Sequence, residues 1–259
     1  YVGESKAGEP IPMISVGDGP QSVLLFASPH PNEPIGAMMA YFLLDQLIVD
    51  ADLRKGRTWH IIPCIDPVGT RLNEGWFKGP FNIRNYARHF YRPKGEDQAE
   101  WSFPIEYKTL KFDRPIPETK ALMNAITKTR PAVMYSLHNS GFGGAYYYLS
   151  RPLEKAYPSF HRIPKAVNLP LSLGEPEMPF MKVFGGDNGN RNDGADRILG
   201  VRSPAVLGRR ADRIPGARAD AVLIRAHAST SGAIAATCAS TATARIPPAI
   251  RPSRPPRAG

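Results

Sequence analysis

Phe26-Ala27-Ser28-Pro29-His30-Pro31-Asn32-Glu33-Pro34 is the stretch on which the fold turns. The apolar run Val23 to Ala27 leads into it and reads as a buried strand. The run stops at a loop with a His and, three residues later, a Glu. Ile35 to Ile48 follows, apolar at first and amphipathic later, and reads as a helix. Strand, loop and helix in that order place polar side chains at the end of a sheet. The prolines exclude a helical His/Glu pair. Glu33 precedes a proline and is pushed toward extended backbone, whereas Pro34 suits the first helical position. Two readings stay open for these residues: a surface turn, or a fixed pair of ligands.

Working outward, Ile11 to Val16 and Ser22 to Ala27 flank Gly17-Asp18-Gly19-Pro20, which predicts a hairpin. Beyond the helix, Asp50 to Arg57 is polar, and Thr58 to Ile65 reads as a second buried strand entering the turn signal Asp66-Pro67-Val68-Gly69. Strand, helix, strand implies a parallel pair, and so an α/β fold with a mixed, mostly parallel sheet flanked by helices. Residues 69–104 read as long and irregular, with aromatics interleaved with Arg71, Arg84, Arg88 and Arg92. Such a stretch suits stacked bases or a pocket for a carboxylate, which arginine grips with two hydrogen bonds. A packed loop with solvated arginines is the plainer alternative. Pro117 to Thr129 reads as a helix, Ala132 to Leu137 as a third buried strand, Ala145 to Leu149 as a fourth, and 151–162 as helical.

The third strand ends at His138-Asn139-Ser140-Gly141, so a second His stands at a strand end. Strand ends of an α/β sheet converge on one crevice. Two His and one carboxylate with an open position form a catalytic zinc set, so His30, Glu33 and His138 are the candidate ligands. Such a zinc activates water and polarises a carbonyl. His60, His89, His161 and His227 lack the strand-end setting and read as structural or surface residues. Cys64 and Cys238 stand far apart and exclude a disulfide framework or a cysteine-rich zinc site.

These segments together resemble the M14 family of zinc carboxypeptidases, whose fold is shared by the succinylglutamate desuccinylase and aspartoacylase deacylases. Gly3 to Ile11 is similar to the family's opening loop and strand. Pro29-His30-Pro31-Asn32-Glu33-Pro34 resembles the HxxE motif. Asp66-Pro67-Val68-Gly69 resembles an Asn-Pro-Asp-Gly segment, and Ser136-Leu137-His138-Asn139 an Asp-Leu-His-Ser strand end. The resemblance covers residues 1–184 and implies zinc on His30, Glu33 and His138. Tyr86-Ala87-Arg88-His89-Phe90 resembles Leu-Asn-Arg-Asn-Phe, which gives Arg88 a carboxylate-binding role. Arg71 is a second such arginine, and Asn85 a stand-in for the Asn that Ala87 replaces. The implied reaction is removal of a C-terminal residue from a peptide, with hydrolysis of N-acyl amino acids as the alternative. The implied general base, a Glu on a late strand, is not found. The last glutamates, Glu175 and Glu177, lie in a proline-rich segment, so no catalytic base is assigned.

The net charge of +10 invites a nucleic-acid partner. Residues 191–259 hold twelve Arg and four Asp with no Lys or Glu, so this part carries most of the excess and the body is nearly neutral. The expected domain is therefore 1–184, truncated, followed by a disordered Ala/Arg/Pro-rich tail over 185–259. A third reading is a zinc-binding remnant whose basic tail binds nucleic acid. The composition of the tail is also that of a GC-rich coding sequence read out of frame, and an in-frame relative would then restore a glutamate-bearing strand beyond residue 184. No signal peptide or apolar span of membrane length is seen, and a cytoplasmic location is expected.

Overall fold

The computed structural model describes residues 1–139, 144–172, 182–184, 198–200 and 222–228. In chain order these form β1 (Gly3–Glu4), β2 (Pro10–Ile11), β3 (Ile14–Val16), β4 (Gln21–Ala27), α1 (Pro34–Val49), α2 (Ala51–Arg54) and β5 (Arg57–Ile62). Next come α3 (Pro67–Phe77), α4 (Ile83–His89), β6 (Ile105–Tyr107), β7 (Leu110–Phe112), α5 (Pro117–Thr129), β8 (Val133–Asn139) and β9 (Tyr146–Leu149). The last are α6 (Tyr157–Ala166), β10 (Lys182–Phe184), β11 (Ile198–Gly200) and β12 (Val222–Ala228).

One eight-stranded sheet runs β10-β11-β9-β12-β8-β4-β5-β3. Its central strands β12, β8, β4 and β5 are parallel, while β3, β9 and β10 each make an antiparallel pair. This is the mixed, mainly parallel α/β architecture expected from the strand-helix-strand order. β4 shows why its sequence is apolar throughout: both faces are covered. Val23, Leu25 and Ala27 pack with Met39, Leu43 and Leu47 of α1. Leu24 and Phe26 pack on the other side with Leu122, Ala125 and Ile126 of α5. α1 lies close to the sheet because residue 36 is glycine. A Cβ there would stand 2.9 Å from the Leu137 carbonyl oxygen and 3.3 Å from the Ala27 Cβ.

Two expectations are corrected. The hairpin does not form: β3 pairs with β5, and β4 sits between β5 and β8 with both edges taken. Residues 17–20 instead carry the chain across the start of β5, where Gly19 N donates to the Arg57 carbonyl at 3.2 Å and Gln21 N to that of Gly56 at 3.2 Å. Gly19 is needed there, since a Cβ would meet Arg57 N at 2.1 Å. Residues 69–104 are not irregular throughout, because α3 and α4 occupy much of them. The Asp66-Pro67 pair that reads as a turn is a helix start, with Asp66 at the N-cap accepting from Gly69 N at 2.8 Å and Pro67 at the first position. The buried Asn73 amide ties this region together. Its Nδ2 donates to the carbonyls of Gly69 and Tyr91, and its Oδ1 accepts from Trp76 Nε1 and Tyr91 N.

Two further strands are described beyond residue 184. β11 and β12 come from the segment expected to be tail, and both enter the sheet, β12 between β8 and β9. The rest of 185–259 lies outside the described residues, as do Glu175, Glu177 and Cys238. No helix among the described residues is long and apolar enough to cross a membrane.

Burial raises the pKa of the Asp66 carboxyl, an effect that the Gly69 N–H bond and the Lys6 charge oppose. A carboxyl whose folded pKa lies above its unfolded value costs stability as the pH rises through that interval and beyond. Asp66→Asn keeps the capping oxygen without the charge and is expected to raise the melting temperature at pH 7. Asp66→Ala removes the cap and is expected to cost about 1 kcal/mol. Thermal melts of the three proteins by circular dichroism check the order.

Candidate metal centre

The centre is built where β4 and β8 end side by side. Their register sets Ala27 opposite Leu137, so the segments that follow emerge from the same edge of the sheet. After β4 the chain turns at Ser28, a buried residue at φ 55°. A left-handed backbone at a non-glycine residue is uncommon and collects at functional loops. The turn closes with Glu33 N donating to the His30 carbonyl at 3.0 Å. Glu33 then occupies the N-cap position of α1, but its side chain makes no capping bond. Asn139, from the end of β8, does that work by accepting from Ile35 N at 3.1 Å. The Glu33 carboxylate is thereby free to face inward.

There it meets both imidazoles. Glu33 Oε1 lies 2.9 Å from His30 Nδ1, Glu33 Oε2 lies 3.0 Å from His138 Nδ1, and the two Nδ1 atoms are 3.2 Å apart. All three residues are buried. Asn139 N donates to Glu33 Oε2 at 3.2 Å, and Arg92 Nη1 donates to Glu33 Oε1 at 2.9 Å. On the far edge of the His138 ring, Nε2 lies 2.9 Å from Ser136 Oγ and 3.3 Å from Glu100 Oε2, while Ser136 Oγ donates to Glu100 Oε1.

The charges follow from these contacts. Burial lowers the His30 pKa, partly offset by the Glu33 hydrogen bond, so His30 is neutral. Burial would raise that of Glu33, but hydrogen bonds from His138 and His30 outweigh it and hold the carboxyl well below its usual range. Burial would likewise lower that of His138. The charge and hydrogen bond of Glu100, joined by those of Glu33, instead push it up to about 9.

A metal fits these donors. Zinc with bonds of about 2.1 Å in tetrahedral geometry separates its donors by about 3.4 Å. The two Nδ1 atoms and the facing Glu33 oxygens stand 2.9–3.2 Å apart, close to that spacing without rearrangement. His30, Glu100 and His138 also offer donor atoms that all lie within 4.8 Å of one another. Glu100, however, approaches His138 at Nε2, whereas Glu33 approaches both rings at Nδ1.

The other nominated residues stand elsewhere. Arg71 makes a bidentate ion pair with Glu9 at 2.6 and 2.5 Å. Asn85 lies on α4, its N–H donating to Asn82 Oδ1 and its amide Nδ2 to the Gly75 carbonyl. Arg88 is exposed on the same helix. None of the described contacts joins these three to the His–Glu–His group. Arg92, named in the sequence only among the arginines of 69–104, is at the centre on Glu33, as are Ser136 and Glu100, which received no role from the sequence. For Ser136 a signal existed, since strand alternation puts it on the same face as His138. Glu100 sits in a loop with no periodicity to mark it.

A family model described as zinc carboxypeptidase matches residues 1–168. The chain belongs to this family. Its members are zinc-dependent hydrolases, and the buried His and Glu side chains described above could bind such a metal. Among solved structures, a candidate metallopeptidase from Shewanella amazonensis SB2B aligns at 14% identity over 93% of this chain and 82% of its own, with a TM-score of 0.55. The carboxypeptidase A of Helicoverpa armigera aligns at 16% identity over 88% of this chain and 58% of its own, with a TM-score of 0.52. Against a candidate carboxypeptidase A from Shewanella denitrificans OS-217 the identity is 15% and the TM-score 0.50. The match takes in 88% of this chain and spans 54% of that one. At these identities the likeness is one of fold. A search of curated protein sequences finds no match.

Proposed function

We propose that the chain is a zinc-dependent hydrolase of a peptide bond at the C-terminal end of its substrate, with the metal on His30, Glu33 and His138. The observation that carries the reading is the meeting of both Nδ1 atoms with the two oxygens of Glu33. When bound, zinc supplies Lewis acidity toward a carbonyl and lowers the pKa of a water. The protein's own contribution is positional. Asn139 and Arg92 fix the Glu33 carboxylate by donating to its two oxygens. The Arg92 side chain is also partly solvent-exposed, which suits it to meet negative charge developing on a substrate oxygen. Arg88, and Arg71 once released from Glu9, are the proposed grips for a substrate carboxylate, with Asn85 on the same helix as Arg88. The domain that does this work is proposed to span residues 1–184 together with the strands added from beyond it.

A second reading is hydrolysis of N-acyl amino acids: with Arg71 paired to Glu9, Arg88 is left to grip the one carboxylate that such a small substrate carries. In either case a base must take a proton from the attacking water. β12, the late strand beside β8, reads Val222-Leu223-Ile224-Arg225-Ala226-His227-Ala228 and has no carboxylate. Slow turnover is therefore expected.

The test is metal analysis of the purified chain, with hydrolysis of a panel of peptides and N-acyl amino acids followed in parallel. One zinc per chain with slow release of C-terminal residues supports the first reading, and release from N-acyl amino acids the second. Stoichiometric zinc without any turnover leaves a binding remnant. A wild-type chain that takes up no zinc sinks all three.

A further inference from the structure

We infer that Glu100, acting with Ser136, is a positioning residue for His138 that holds its proton on Nε2 and so turns the Nδ1 lone pair toward the metal. This rests on the metal-centre reading above and adds to it a residue from outside the ligand set.

Glu100 is a carboxylate at 4% exposure, a placement that is costly unless partners compensate for the lost water. The loop that carries it is pinned on both sides. Gln98 Nε2 donates to the Pro93 carbonyl, and Thr119 Oγ1 donates to that of Ala99. The carboxylate is thus delivered to the back of the His138 ring by fixed backbone.

The hydrogen-bond inventory then decides which ring proton stays when a metal binds. A serine hydroxyl has one proton, and Ser136 gives it to Glu100 Oε1. What Ser136 Oγ presents to His138 Nε2 at 2.9 Å is a lone pair. Glu100 Oε2 lies 3.3 Å from the same nitrogen, close enough for its charge to favour a proton there, without the alignment of a hydrogen bond. Both ring nitrogens face acceptors, Nδ1 the Glu33 carboxylate and Nε2 the Ser136–Glu100 pair. A metal arriving from the side of His30 and Glu33 displaces only the Nδ1 proton; Nε2 keeps its own against Ser136 and Glu100, and Nδ1 becomes the donor atom. His30 has no matching device: its Nε2 is buried without a hydrogen-bond partner among the described residues. His138 is the ligand anchored from behind.

A carboxylate behind a metal-bound imidazole fixes the ring and raises its basicity, and losing it typically weakens metal binding about 10–100-fold. The test is zinc affinity by chelator competition on the full chain, comparing wild type with E100Q, E100A, S136A and E33Q. Cobalt absorption spectra and ¹H–¹⁵N spectra of the histidine rings accompany it. In E100A the freed Ser136 hydroxyl can turn and donate to Nε2, which moves the ring proton to Nδ1. The expected result is a loss of about 10–100-fold for E100A, a smaller loss for the isosteric E100Q, and disappearance of the shielded His138 Nε2–H resonance in E100A. E33Q is expected to take up no stoichiometric zinc. Zinc affinity in E100Q and E100A equal to wild type overturns the role of Glu100 while leaving the centre standing. Loss of the cobalt spectrum in E100Q with its retention in E33Q makes Glu100 a ligand and also overturns it. A wild type that binds neither metal overturns the centre itself, which separates that failure from the other two.

Discussion

Glu33→Gln is expected to abolish stoichiometric zinc binding, with an affinity loss well beyond the roughly 100-fold reached by changes behind a ligand. The substitution keeps the shape of the side chain but removes its charge, and an amide offers one oxygen where the carboxylate offers two. Both oxygens are in use. Oε1 faces His30 Nδ1 and Arg92, and Oε2 faces His138 Nδ1 and Asn139 N. A glutamine that keeps one side must turn its NH₂ group toward the other, where donors already stand. Breaking a buried ion pair by removing one partner typically costs about 3–5 kcal/mol. The metal-free E33Q protein is therefore also expected to melt at a lower temperature than the metal-free wild type. Metal analysis after dialysis and a melt in chelator check the two halves separately. Wild-type zinc content in E33Q would remove Glu33 from the ligand set.

Zinc uptake is expected to be steeply pH-dependent. His138 is pushed up to about 9, because Glu100 and Glu33 flank it and outweigh the effect of burial. Below that pH the metal must displace the Nδ1 proton. One displaced proton makes the apparent affinity rise about tenfold per pH unit, so about 100-fold from pH 7 to 9, and level off above. The sign for stability is the opposite. A His whose folded pKa is raised above about 6.5 contributes stability that is fully present below that pH. It is lost as the pH rises through about 9. Glu33 is held low, so its contribution is present above about pH 4.3 and lost as the pH falls toward its folded value. The metal-free protein should lose melting temperature from pH 6.5 to 9, and zinc should flatten that slope. Chelator competition at a series of pH values, with calorimetry in buffers of different ionisation heat, measures the proton released. An affinity unchanged between pH 7 and 9 would contradict the charge assignment of the centre.

How far the sequence carried depends on whether a feature is local. α5 runs from Pro117 to Thr129, as its proline start and apolar spacing predict, and Pro34 begins α1. Those signals are steric or periodic and act within a few residues. The strand-end histidines were legible for the same reason, since each follows a buried run. The pairing of β3 with β5 was not legible. A glycine-rich turn between two short apolar runs says hairpin locally, and only the distant strands β5 and β8, which take both edges of β4, forbid it. α3 and α4 were hidden because they are short and polar, and Asp-Pro starts a turn and a helix alike. Arg92 and Glu100 reach the centre from a segment without regular period, so spacing could not separate them from Arg71 or Arg88.

The distance along the chain between His30 and His138 has a consequence for assembly. The two rings are 108 residues apart and meet only because β4 lies beside β8. Contacts of such separation form late, after the entropy of closing the intervening chain has been overcome. Of the proposed ligands, an unfolded chain brings together locally only His30 and Glu33. Zinc on these ligands would therefore not nucleate the fold. It would enter a sheet already built, and its effect would fall on the lifetime of the native state rather than on the speed of reaching it.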